Sequence, residues 1–269
     1  MGIGTVDALL NGRLPALDWS KAGFTGEAAG LLHSSLYLTG MPGAGAAPSA
    51  GINGAQVLNG RTGTLAAPTA VAGKSCYLNS VDMAQAGSIG AAFLIDRLWE
   101  NSGLDVTIAT LQAITPATPP ARDANNSALG VGVGLAIEIV TATANGGAVN
   151  VTVSYTDSDG NTGATGVISI PATAAAGTWL PLPLAAGDYG VRAPTGFQLA
   201  SSLTSGSLSL VLYRRLGRTL GIPLTNTTSG FGPADGGVPV ADGCAPHFIY
   251  MLTGTSNGVT TGSVQFSQA

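Results

Sequence analysis

From Ala148 to Thr156 the chain alternates without a break: Val149, Val151, Val153 and Tyr155 on one parity, Asn150, Thr152, Ser154 and Thr156 on the other. A period of two fits a pleated strand with one face buried and one wet. Turn-forming residues, Asp157 to Asn161, come next, and Ile168 and Ile170 resume the pattern before Pro171, so the stretch reads as a hairpin. The same parity recurs at Leu135, Ile137 and Ile139, at Leu208, Leu210 and Leu212, at Phe248, Tyr250 and Leu252, and at Val264 and Phe266. Val106 and Ile108 are expected to open another strand that ends near Pro116, Pro119 and Pro120. AAFLIDRLWEN (91–101) fits either a strand or a helical turn. Thr5 is placed to cap a short helix over Val6 to Leu10, ended by Gly12. Short strands separated by Gly, Pro and Asx predict a mainly β protein, an antiparallel β-sandwich or jelly-roll-like domain. No repeat of fixed period points to a propeller or solenoid.

The first quarter differs. Residues 40–73 carry almost no periodicity, and so long a structureless stretch marks a functional loop or an extended segment. The expected organisation is an extended irregular N-terminal arm over 1–74 that docks on a neighbour. A β-sandwich over 75–220 follows, with a C-terminal loop and strands over 221–269 packed on that domain or on a neighbour.

Charge is scarce: ten Lys and Arg and fourteen Asp and Glu among 269 residues, or 9%. Ordinary soluble domains carry about 25%. The surface must be made largely of Thr, Ser, Asn, Gly and Ala, which suits a protein covered by neighbours in an assembly. A net charge of −4 argues against nucleic-acid binding, and the one dense basic patch, Arg214, Arg215 and Arg218, is too small to track phosphates. Cys76 and Cys244 lack metal-ligand or redox spacing and read as two buried thiols. Asp7 and Asn11 interrupt any signal-peptide core, Val6 breaks the myristoylation pattern, and no stretch has the length and apolarity of a membrane helix. A soluble protein made in the cytosol is expected.

Catalytic motifs fail on their chemistry. Gly254 to Gly258 matches G-x-S-x-G around Ser256, but no His, Asp or Glu follows it, and both histidines, His33 and His247, lie upstream. Gly73, Lys74 and Ser75 resemble the end of a phosphate loop, yet Pro68 stands where that loop needs a glycine N–H. Asp157, Asp159 and Asn161 resemble a calcium loop, but Thr162 and Ile168 occupy the positions of its glycine and glutamate. Asp96 and Glu100 flank Arg97, Asp123 adjoins Arg122, and Asp188 precedes Arg192 by four, so these groups read as structural, in salt bridges or as backbone-clamping arginines. No catalytic residue, cofactor or metal site is expected. Trp99 and Trp179 read as core anchors.

Several blocks carry a family resemblance: Asp96 to Gly103 followed by DVTIATLQ, Pro120 to Asp123, Ala186 to Arg192, and the strand ending LVLYRRLGRTLGIPL. Together, over about 75–224, they resemble head-associated virion structural proteins of tailed bacteriophages. The resemblance implies a β-rich, non-enzymatic protein that decorates or cements the shell of the major capsid protein, on the capsid exterior, often as a homotrimer. Trp19, Phe24 and Leu32 of the arm, and Arg214, Arg215 and Arg218 facing an acidic neighbour, are the expected interface residues. A tail, baseplate or fibre component is the alternative within the virion, and a carbohydrate-binding β-sandwich module the alternative outside it.

Overall fold

A computed structural model describes residues 5–24, 30–116, 119–235, 237–254 and 257–269. Nearly every regular element is a strand, and the described helix is Val6–Asn11, capped by the Thr5 hydroxyl, which accepts from the Ala8 N–H. The chain divides into two compact units. One comprises 1–46, 58–96 and 215–269; the other comprises 47–57 and 97–214. The division falls inside two strands, Gly90–Glu100 and Ser207–Ile222.

In the first unit the Cys76–Gln85 strand pairs with Thr260–Gln268 on one side and with Thr228–Phe231 and Val238–Val240 on the other. Leu17–Lys21 adds beyond Thr260–Gln268, and Gly40–Met41 beyond that. Pro246–Leu252 pairs with Leu32–Ser34 and with the first seven residues of Gly90–Glu100. The core between these elements includes Leu78, Met83, Phe248, Tyr250, Val264 and Phe266.

The second unit is built on the hairpin read from sequence. Val149–Asp157 pairs with Thr162–Ala164 and Ile168–Ile170 on one edge and with Val191–Leu199 on the other. Val133–Thr141 pairs with Ser207–Ile222 and Thr178–Pro181. Val151, Val153, Tyr155 and Phe197 meet Leu135, Ile137, Leu210 and Leu212 in one core, the interior of a β-sandwich.

Of the two alternatives for AAFLIDRLWEN the structure has the strand, Gly90–Glu100, buried along most of its length. Val106 and Ile108 do not open a strand. The Asp105 carboxylate accepts from the Thr107 N–H at 2.9 Å and hydroxyl at 2.7 Å, an Asx turn that diverts the backbone from a ladder. The aperiodic stretch 40–73 is irregular except at Gly40–Met41 and Ala55–Gln56.

Candidate functional site

One end of the second unit is a cluster of three loops, two of them wound round an aspartate. In 123–131 the Asp123 Oδ1 accepts from the Asn125 and Ser127 N–H groups at 2.9 and 2.7 Å. Its Oδ2 accepts from the Ser127 hydroxyl at 2.7 Å and from the Gly130 and Val131 N–H groups at 3.0 Å. In the hairpin turn the Asp157 Oδ1 accepts from the Asp159 and Asn161 N–H groups, both at 2.8 Å, and Oδ2 from the Asn161 amide at 3.1 Å. In 185–190 Asp188 accepts from the Tyr155 hydroxyl at 2.5 Å, and that hydroxyl accepts from the Ala185 N–H at 2.8 Å. Burial raises the pKa of the Asp123 and Asp157 carboxyls, but the donors around each outweigh it and hold both below the ordinary value. Burial first, then the Asp188 carboxylate, pushes the Tyr155 phenol up.

The loops are also tied to one another. The Gly132 N–H donates to the Tyr189 carbonyl at 2.9 Å and the Ser158 N–H to the Gly190 carbonyl at 3.0 Å. Gly130 has φ +86°, and a Cβ there would run into the Val191 carbonyl, so glycine permits this close approach. The Asp157 oxygens are occupied by the chain's own N–H groups, which accounts for the calcium-like spacing as turn chemistry. Among the described residues no group of three or more His, Cys, Asp or Glu side chains is placed to hold a metal ion.

Beside this end lies a buried ionic network. Arg97 donates from Nε to Glu100 and from Nη2 to Glu138, both at 2.6 Å. Arg122 donates from Nη2 to the carbonyls of Val57 and Arg97 at 2.5 and 3.0 Å, and Arg214 from Nη1 to the Asp123 carbonyl at 3.0 Å. Arg97 thus joins two carboxylates, while Arg122 and Arg214 tie backbone segments together. Arg97 pairs with Glu100 as the sequence suggested, and Arg122 and Arg192 act as backbone clamps. Arg122 clamps carbonyls while Asp123 gathers N–H groups, and Arg192 donates to the Ser158 carbonyl while Asp188 takes the Tyr155 hydroxyl. Asp96 accepts from the Ala245 N–H, apart from the Glu100 pair.

The first unit holds a site that sequence reading missed. Lys21 is 2% exposed, and its ammonium donates to the carbonyls of Leu38, Pro42, Gly43 and Gly63 at 3.1, 2.8, 3.3 and 3.4 Å. Burial lowers its pKa to about 8. One cation thus gathers four points of the irregular stretch. Lysine in a short polar strand gives no sequence signal for this, because its acceptors are backbone atoms far along the chain.

Each expected interface residue is buried, half-buried or partnered within its own unit. Trp19 stacks on Phe248 with centroids 4.3 Å apart and Phe24 on His33 at 3.8 Å, both inside the first unit, where Leu32 is half-buried. Arg214 is buried in the second unit. Arg215 lies over the Phe93 ring at 4.6 Å, and Arg218 approaches Asp235 at 3.4 Å, in the first. Ser256 lies outside the described residues. Cys76 and Cys244 are buried and form no disulfide.

No family model and no curated protein matches the sequence. The backbone gives loose overlays on viral shell proteins. One is a mutant VP2 protein of Infectious Bursal Disease Virus from derived T=1 particles, at 11% identity over 98% of this chain and 79% of that one, TM-score 0.18. A VP2 subviral particle of the same virus overlays at 11% identity, 97% and 81% coverage and TM-score 0.19. Overlays at these scores define no shared fold and no role. No helix among the described residues is long and apolar enough to cross a membrane.

Proposed function

We propose that this chain is a non-enzymatic virion structural protein of the tailed-bacteriophage head, bound to the outer surface of the capsid and cementing neighbouring capsomers. The observation that carries the reading is the withdrawal of charge from an already charge-poor surface. Lys21, Asp96, Arg97, Glu100, Arg122, Asp123, Glu138, Asp157 and Arg214 are all buried in the chain's own fold. What remains outside is dominated by small neutral side chains, and covering such a surface carries little of the desolvation penalty that attends charges. Net charge −4 would be repelled by packaged DNA and favours the shell exterior. The partners are the major capsid protein and further copies of this chain as a homotrimer, with no cofactor.

The test is the thermal rupture of particles with and without the protein. Particles lacking it rupture at a lower temperature on this reading, and equal rupture temperatures sink the cementing role.

A further inference from the structure

The chain has three Trp, six Tyr and six Phe, and it hides all but one. Tyr189 is 79% exposed, whereas every other aromatic side chain is buried or half-buried. Its loop is not slack. The Tyr189 carbonyl is fixed by Gly132, the Gly190 carbonyl by Ser158, the Asp188 carboxylate by Tyr155, and the Asp188 N–H by the Ala185 carbonyl at 3.1 Å. An aromatic ring held out on an immobilised backbone loses little further backbone entropy when it docks. Tyrosine is among the residues that dominate binding energy at interfaces.

The surroundings fit a protein partner. The adjoining loops present Asn125, Asn126, Gly160 and Asn161, all exposed, and a second exposed apolar side chain, Leu129, at 49%. Small adaptable polar residues round a rigid tyrosine form the composition of a protein-binding loop set. The charge at this end is one-sided. Asp159 is exposed and Asp188 half-buried, while the nearby cation, Arg192, is engaged by the Ser158 carbonyl at 2.9 Å.

We infer that Tyr189 is the docking anchor of this chain, inserting from the loops 123–132, 157–161 and 185–190 into an apolar pocket rimmed by Lys or Arg on a shell subunit. The inference rests on the capsid reading for the identity of its partner. The ring is the anchor, Leu129 extends its contact, and Asp159 pairs with the basic rim.

Particles stripped of the protein are titrated with the wild-type chain, with Tyr189→Ser, and with Val167→Ser as a control at an exposed apolar residue outside the arm and the three loops, 62% accessible. Tyr189→Ser is expected to bind at least about tenfold more weakly while melting at the wild-type temperature, as loss of a central aromatic anchor requires. Val167→Ser is expected to bind within about twofold of wild type, as a residue outside the contact does. A photo-crosslinking amino acid at position 189 of the intact virion is expected to label the major capsid protein. Tyr189→Ser binding as tightly as wild type overturns the anchor. Labelling of a tail protein from position 189, with no binding to stripped shells, keeps the anchor and overturns the shell location. Absence of both binding and labelling overturns the two together.

Discussion

Two stretches of irregular backbone in this molecule are fixed by opposite chemistry. In the first unit, one ammonium, Lys21, donates to carbonyls at Leu38, Pro42, Gly43 and Gly63. In the second, Asp123 and Asp157 accept from N–H groups of their own loops. The lysine draws together residues as far as 42 positions away; the aspartates bind residues no more than eight positions on. A long-range cation organises a segment that has no local turn logic, whereas a short-range anion builds a self-contained loop. In both, the charge satisfies backbone groups that would otherwise go without partners where no ladder reaches them. A chain with few charges has committed them to this task.

The largest effect is expected at the network shared by neither device. Arg97→Met leaves Glu138 buried without its guanidinium, and should destabilise the protein by about 3–5 kcal/mol in denaturant melts. A loss comparable with that of a surface salt bridge would place the pair in solvent contact. Lys21→Met strips four carbonyls of their donor, with an expected cost of about 2–4 kcal/mol. Proteolysis or hydrogen exchange should then quicken in 38–63 and leave 123–131 unchanged. Asp123→Ala is the mirror experiment, costing about 1–3 kcal/mol with faster exchange confined to 123–131. If either variant loosens both stretches equally, the two devices are not independent.

Smaller, and sharper, is the pH dependence. The folded-state pKa of Lys21 is depressed to about 8, so between about 8 and the ordinary lysine value the unfolded chain holds a proton that the folded chain has released. The contribution of Lys21 to stability therefore rises with pH across that window. The depressed Asp123 and Asp157 carboxyls contribute stability that is complete above the ordinary carboxylate pKa and is lost as pH falls through their lower folded values. Melts across pH should show the acidic rise in wild type and Lys21→Met alike. On the alkaline side the stability of wild type relative to Lys21→Met should rise with pH, while the raised Cys76 and Tyr155 groups act in the opposite sense in both.

Much of the fold was legible because strand alternation is local. Val149 to Tyr155 announces its own buried face, and the turn at Asp157 to Asn161 announces the hairpin. Val106 and Ile108 show where local reading fails: two β-branched residues at strand spacing yield to one aspartate hydrogen-bonding two positions on. Which aromatic side chains reach the surface was the least legible. Trp19 has the composition of a docking aromatic, but its exposure depends on Phe248, more than 200 positions away. Tyr189 has the same composition and the opposite fate, because the loops that hold it out come from three parts of the chain.

The central claim is that the charge-poor surface is made to be covered. A cryo-EM map of the intact particle tests it most directly. The account predicts density for this chain on the shell exterior, with Tyr189 and the charge-free segment between Glu27 and Arg61 buried against other subunits. A map in which that stretch and Tyr189 both face solvent would contradict it.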